Sequence, residues 1–392
     1  MLLLNNIAWE NFVVILFVDC GRPCKLFVVI ILKLGVNYKY IVVKRKELQL
    51  QMRERDFLYK TYSEIPWQEL NNKRILITGV SGMIGSTLIR MLLEYNRQEN
   101  ANLQVVGISR SKETARKQLG DIMDTQEFTY ISGDINMPLE NMGSFDYIIH
   151  CASNTHPRQY SSDPIGTIMT NVLGTKNLLD YAVEYGVKRF VFLSSVEIYG
   201  ENRGDVDVFD EKYLGYIDCN TLRSGYPEGK RLGESMCNAY AKQQGIDFVI
   251  PRLSRTYGLG LLDTDSKAIS QFIHKASARE DIVLKSKGDQ LFSYTYAEDA
   301  AAAVLLVMLK GESGEAYNVS DAGSVLTLAE LAGILADIAG TKVIFELPDE
   351  VEKAGYSTAT KAVLDASKLE ALGWSARVHM REGLEKVVKF VI

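Results

Sequence analysis

The chain has 392 residues, 47% of them apolar and 24% charged, which suits one large domain or two smaller ones around a substantial core. A net charge of −5 excludes a general nucleic-acid binder, which would carry a basic surface. The five cysteines (Cys20, Cys24, Cys151, Cys219, Cys237) show no CxxC spacing and the four histidines no cluster, so no metal site is expected and a reducing, cytoplasmic setting is.

Residues 1–72 read as an extension. "FVVILFV" (Phe12 to Val18) and "LFVVIIL" (Leu26 to Leu32) are apolar runs split by "DCGRPCK". Each is shorter than the ~20 residues that span a bilayer. Fused into one span, they would bury Asp19, Arg22 and Lys25 near its centre. No basic region precedes them and no small-residue cleavage pattern follows. Three readings stay open: a dispensable extension with translation starting near Met52, a β-hairpin-like addition, or a membrane anchor.

From Lys73 the pattern sharpens. "RILITG" is a short β-branched and aliphatic run that reads as a buried strand, and "MIGSTLIRMLLEY" follows at helical spacing. "LQVVGIS", "FTYIS" and "FDYIIHCAS" read as three further strands. The stretch from Asp163 to Tyr185 reads as a long helix stopped by Gly186. "RFVFLSS" is a fifth strand, "PEGKRLGESMCNAYAKQQG" a helix closed by glycine, and "DFVIPRLS" a sixth strand. Strands alternating with helices imply right-handed βαβ units, hence an α/β doubly wound parallel sheet over 73–254. Beyond Ser254 the pattern loosens. Residues 255–392 read mainly as a substrate-binding lobe with elements that return to the sheet, and "TLAELAGILADIAG" is their one clear amphipathic helix.

"TGVSGMIG" places Gly79, Gly82 and Gly85 between the first strand and its helix. Glycines there let the backbone turn tightly and approach a pyrophosphate, while the helix N-terminus attracts its charge. A dinucleotide is therefore expected. The second strand ends "GISRSK", without the acid that would hold the 2'-hydroxyl of NAD. Arg110 could instead meet a 2'-phosphate or stack on adenine, which keeps NADP open beside NAD. Asp134, after the third strand, could reach the adenine amino group or serve turn geometry alone.

Tyr226 and Lys230 stand at i and i+4 and share a helix face. A nearby ammonium lowers the pKa of a phenol from about 10, and the pair could then take a proton from a sugar hydroxyl while hydride leaves the same carbon. Ser195, at the end of the fifth strand, lies where open parallel sheets bind ligands and could hold the reacting oxygen.

TGxxGxxG, then serine, then YxxxK resembles the extended short-chain dehydrogenase/reductases, and within them the NAD-dependent epimerase/dehydratase family that acts on nucleotide sugars. "IIHCAS", "SSVEIYG", "RSGYPEGKRLGE", "PRLSRTYG" and "YTYAEDAAAA" carry the resemblance from Lys73 onward. It is strongest to the UDP-glucuronate decarboxylases, then to the dTDP-glucose 4,6-dehydratases. It implies a Rossmann fold. Tyr226 would be the base, Lys230 its activator and Ser195 the catalytic hydroxyl, with Glu197 acting beside C5. Met83, Ile84, Ile135, Ala152 and Ser153 would join the glycine loop around the cofactor. Arg223, Arg255 and Tyr257 would bind substrate. It also implies a homodimer formed through the helices Asp163–Tyr185 and Tyr226–Gln244.

Two positions depart from the resemblance. Val196 stands where the dehydratases carry an aspartate. Leu291 stands where the decarboxylases carry an arginine, and Arg255 could supply replacement charge for a diphosphate. Decarboxylation, elimination and epimerisation all follow from a transient oxidation at C4. An NADPH-dependent keto-sugar reductase and a silent binding protein are the readings from other classes.

Overall fold

The computed structural model describes residues 58–155, 160, 162–261, 265–346 and 360–391, and the strands at 12–18 and 26–32. Met52, Cys20 and Cys24 lie outside the described residues. The chain forms two compact units, 1–57 and 58–392. In the first, β1 (Phe12–Val18) and β2 (Leu26–Leu32) pair antiparallel, from Phe12 opposite Leu32 to Val18 opposite Leu26. Among the described residues, no helix is long and apolar enough to cross a membrane.

The second unit starts at Leu58, ahead of the first strand of its main sheet. Tyr59, Tyr62, Ile65, Trp67 and Leu70 are buried in the core beside that sheet. The Tyr62 hydroxyl donates to the Asp299 carboxylate at 2.9 Å, and the Trp67 indole to the Tyr62 carbonyl at 2.9 Å. Residues 58–72 therefore pack as part of this unit.

Eight strands make one parallel sheet. They are β3 (Arg74–Thr78), β4 (Gln104–Ser109), β5 (Phe128–Ser132), β6 (Tyr147–His150), β7 (Arg189–Phe192), β8 (Ser194–Ser195), β9 (Phe248–Leu253) and β13 (Ala316–Val319). Their order is β13-β9-β7-β6-β3-β4-β5, with β8 on β9, which is the doubly wound arrangement expected from the alternating pattern. The chain reverses direction across the sheet at β3 and β6, where Thr78 pairs both Ile108 and His150. Helices Met83–Glu99 and Ala297–Lys310 cover one face, and Pro164–Glu184 and Gly225–Gln244 the other. A Cβ on Gly233 would come within 2.3 Å of the Phe192 ring, so glycine is what lets the second pair of helices lie close on the strands.

A smaller lobe follows. β12 (Leu291–Tyr296) sits between β10 (Arg255–Tyr257) and β14 (Val325–Thr327) and also pairs β16 (Lys361–Ala362), while β11 (Ile282–Leu284) pairs β15 (Val343–Phe345). Helices Ala268–Ser277, Leu328–Ala339 and Met380–Val391 close a separate core over these strands. Thr327 caps the Leu328–Ala339 helix through a reciprocal capping box with Glu330.

Candidate active site

A cleft of about 810 Å³ runs along the C-terminal ends of the parallel strands and under the smaller lobe. Its floor at the switch point is the glycine loop. Gly79 has φ +71°, and a Cβ there would sit 2.7 Å from the Ala152 backbone. A Cβ on Gly85 would sit 2.6 Å from the Gly79 carbonyl. The loop is thus pressed against β6, with the first turn of the Met83–Glu99 helix opening onto the cleft. Those first-turn amides have no partner within the helix and suit a diphosphate. Gly79, Gly82, Met83, Ile84 and Gly85 all line the cleft, so this chain fits a dinucleotide.

The loop is held from below by a buried relay. Thr78 Oγ1 accepts from the Ala152 amide at 3.1 Å and meets His150 Nδ1 at 2.9 Å, and His150 Nε2 meets Thr175 at 3.2 Å. Burial, then the Lys230 charge, holds His150 well below its usual pKa, so this ring is a neutral strut. Ala152 and Ser153 line the cleft, and Ser153 donates to Asn171 at 2.9 Å. Arg110, Asp134 and Ile135 line the same cleft. Arg110 is exposed and donates to Asn154 at 3.3 Å, while Asp134 accepts the Asn136 amide at 3.0 Å. Asp134 therefore serves the turn and faces the cleft at once.

Farther along, β8 ends in Ser195, whose hydroxyl accepts the Glu197 amide at 3.3 Å and starts a turn, Val196–Tyr199. That turn carries Glu197 into the cleft. The Gly225–Gln244 helix grips it: Arg231 donates to the Ile198 carbonyl and to the Gly215 carbonyl, each at 2.7 Å. The same helix is fixed to β9 by a buried pair in which Arg252 Nη2 meets Glu234 at 2.6 Å and Nε at 3.0 Å. Arg252 Nη1 also reaches the Tyr199 hydroxyl at 3.0 Å, so one guanidinium ties the helix to the Glu197 turn.

Tyr226 is 5% exposed and its ring stacks on Tyr160, with centroids 5.1 Å apart. Burial pushes its phenol well above the ordinary range, a hydrogen bond with Ser195 works against that, and the Glu197 charge adds to it. Lys230 is on the same helix face, yet its Nζ donates to the Leu193 carbonyl at 2.7 Å and lies 4.7 Å from the centre of the Phe192 ring. The expectation that this ammonium depresses the tyrosine is not met: the phenol is raised, and Lys230 is itself lowered to about 8 by burial.

Arg223 and Arg255 also line the cleft. Two sequence readings need correction. Tyr257 is fully buried in the core of the smaller lobe, where its hydroxyl donates to the Met380 carbonyl at 3.4 Å and its ring meets Tyr296 edge-on, so it does not reach the cleft. Leu291 lies outside the cleft lining too. Side chains alternate along β12, and Phe292 and Tyr294 are the ones that face the cleft. Arg255 lies flat on Phe292, its guanidinium carbon 3.4 Å from the ring centre. Tyr160, Asn154, Cys151 and Tyr294 went unread as cleft residues; only the i, i+2 aromatic spacing of "FSY" pointed to one of them.

The sequence model of the "NAD dependent epimerase/dehydratase family" matches residues 75–320. The chain is 32% identical to UDP-glucuronic acid decarboxylase 3 of Arabidopsis thaliana over 319 residues, 80% of this chain and 87% of that one. It is 30% identical to UDP-glucuronic acid decarboxylase 1 of Xenopus tropicalis, over 87% of this chain and 77% of that one. Among solved structures, a dTDP-glucose 4,6-dehydratase from Streptomyces venezuelae with NAD bound superimposes with a TM-score of 0.71, at 26% identity, over 81% of this chain and 96% of that one. The glycine cradle, the Ser195–Tyr226–Lys230 set and these matches converge: the chain belongs to the NAD-dependent epimerase/dehydratase family, whose Rossmann fold it shares.

Proposed function

We propose that the protein is a UDP-glucuronate decarboxylase that works through a transient oxidation at C4 of the sugar. The observation that carries this reading is the placement of a carboxylate, Glu197, beside the hydrogen-bonded Ser195–Tyr226 pair in a buried cleft. A hydroxyl-handling pair alone suits inversion at C4; an acid next to it suits chemistry one carbon away. The names of the relatives from Arabidopsis and Xenopus support the same choice.

Tyr226 accepts the proton of the sugar 4-hydroxyl, and Ser195 holds that oxygen by a hydrogen bond. NAD, held by Gly79, Gly82, Met83, Ile84 and Gly85, would supply a reversible hydride acceptor for C4 and a positive charge that favours the Tyr226 phenolate against the effect of burial. With a ketone at C4, the bond from C5 to the carboxylate breaks, carbon dioxide leaves, and the electron pair stays on C5 and O4. Glu197 governs the delivery of one proton, drawn from water, to C5. Tyr226 then returns its proton to O4 as C4 is reduced. The sum is one UDP-pentose and one carbon dioxide, with no net oxidation.

Val196, 5% exposed at the cleft wall, offers no proton to a leaving hydroxyl, which disfavours 4,6-elimination. The absence of an acid after β4 and the presence of Arg110 support NADP as an alternative cofactor to NAD. Exposed Ile165, Ile168, Met169 and Leu173 on one helix and Leu232 on the next support a homodimer through that pair. The free thiols Cys151, Cys219 and Cys237 suit the reducing cytoplasm.

The test is carbon dioxide release from UDP-glucuronate labelled in its carboxyl carbon. Label released in step with loss of substrate supports the reading. Label retained in a sugar inverted at C4 replaces it with a 4-epimerase.

A further inference from the structure

We propose that Arg255 and Tyr294 form an anion-binding corner of the cleft that selects a substrate bearing a carboxylate on its sugar. This inference rests on the nucleotide-uronate reading above and adds the residues that recognise the acid.

The two residues stand opposite each other, Arg255 on β10 paired with Tyr294 on β12. Both line the cleft. Arg255 Nη1 and the Tyr294 hydroxyl are sealed from solvent, and neither has a hydrogen-bond partner among the described residues. Tyr294 is 1% exposed. Buried donors are almost always met, and a guanidinium left unmet is costly to desolvate. Two such donors side by side, both facing one cleft, mark the place of an acceptor that the chain does not supply. Phe292 covers the face of the guanidinium, with the ring centre 3.4 Å from the guanidinium carbon, so an acceptor would have to meet the in-plane N–H groups. A planar carboxylate fits that edge.

The location favours the sugar over the diphosphate. Burial is the main influence on Arg255, followed by its neighbours Glu197, Tyr294, Arg223 and Tyr160. Glu197 and Tyr160 both border Tyr226, so the corner lies at the reacting end of the cleft. Arg223, Arg255 and Glu197 together leave one net positive charge, since nearby Asp265 is paired with Lys267 at 3.6 Å. One positive charge balances one carboxylate. This also bears on Leu291: the charge missing from that strand is supplied by Arg255 on its neighbour, lying over the adjacent Phe292.

The experiment is calorimetric titration of the NAD-loaded enzyme with UDP-glucuronate, UDP-glucose and UDP. Wild type should bind UDP-glucuronate more tightly than UDP-glucose. Arg255→Met should weaken UDP-glucuronate by about tenfold to a hundredfold, the range for a hydrogen bond to a charged group. UDP-glucose and UDP should shift by less than about twofold, on the premise that neutral partners gain little from the lost charge. Tyr294→Phe removes a single oxygen and should show the same selectivity with a smaller loss, which keeps the test open if Arg255→Met does not fold. Equal losses for all three ligands would assign the corner to the diphosphate and overturn the inference, as would unchanged UDP-glucuronate affinity in both variants. If wild type decarboxylates UDP-glucuronate and the variants bind it normally, only this inference fails. If wild type binds UDP-glucose and ignores UDP-glucuronate, the functional reading fails and takes the inference with it.

Discussion

Lys230 donates its ammonium to the Leu193 carbonyl at 2.7 Å from a site that is 2% exposed, directly beneath the cleft. Burial is the main cause of its lowered pKa, about 8. Below that pH both the folded and unfolded chains carry the charge, and the fold bears the full cost of desolvating it. From about pH 8 to 10.5 the folded state sheds its proton first, and stability rises. Lys230→Met should therefore raise the melting temperature at pH 7, by an amount worth about 1–3 kcal/mol after losing one hydrogen bond. The gain should shrink above pH 9. A variant that melts lower at pH 7 would show that the lysine supports the fold, contrary to this account.

Tyr226 and Ser195 share one hydrogen bond at the reacting end. Tyr226→Phe and Ser195→Ala should each lower kcat by about 10²- to 10⁴-fold, the usual worth of a positioned acid–base group. Binding of UDP-glucuronate should change little, because each substitution deletes one oxygen. Steady-state kinetics check both. Retention of kcat within a few-fold would move the proton transfer to another residue.

The glycine loop makes a steric prediction. A methyl on Gly85 would meet the Gly79 carbonyl at 2.6 Å, and backbone cannot yield as a side-chain tip does. Gly85→Ala should weaken NAD binding by at least about tenfold and cost about 1–3 kcal/mol of stability, as overpacking does. Gly333, on the Leu328–Ala339 helix, has open space around it. Gly333→Ala should stabilise by up to about 1 kcal/mol and leave NAD affinity alone. Fluorescence titration with NAD and thermal melts separate the two.

Arg252 and Glu234 join β9 to the helix that carries Tyr226, with side chains 9% and 11% exposed. Glu234→Ala leaves the guanidinium buried with only the Tyr199 hydroxyl and the Glu211 carbonyl. The expected cost is about 3–5 kcal/mol. The double substitution Arg252→Met with Glu234→Leu should recover most of it. Denaturant melts of both variants decide this, and a cost under about 1 kcal/mol for Glu234→Ala would mean the pair does not hold the helix.

The sheet was legible because its strands are short apolar runs bounded by turn residues, and β3, β4 and β6 each lead into a helix. Ser195, Tyr226 and Lys230 were legible for the same reason: each sits at a defined point of a regular element. The smaller lobe was not. Its strands are two to six residues long and pair across long stretches of chain, as β12 does with β16. No local period announces such pairing. Misreading "LFSYTY" followed from this: without the strand partner, the face of β12 that meets the cleft could not be chosen, and Leu291 drew attention that belongs to Phe292 and Tyr294. Tyr257 sat in a motif next to Arg255 but points into the lobe's core, a consequence of strand alternation. Tyr59, Tyr62 and Trp67 escaped because aromatic anchors in an irregular segment carry no period at all.

The most direct test of the central claim is a proton NMR time course of the NAD-loaded enzyme with UDP-glucuronate in heavy water. The account predicts a UDP-pentose with one deuterium at C5, formed without net change in NAD, and no product from the Tyr226→Phe enzyme. UDP-glucuronate left intact, while UDP-glucose inverts at C4 or dTDP-glucose gains a 4-keto group, would contradict it.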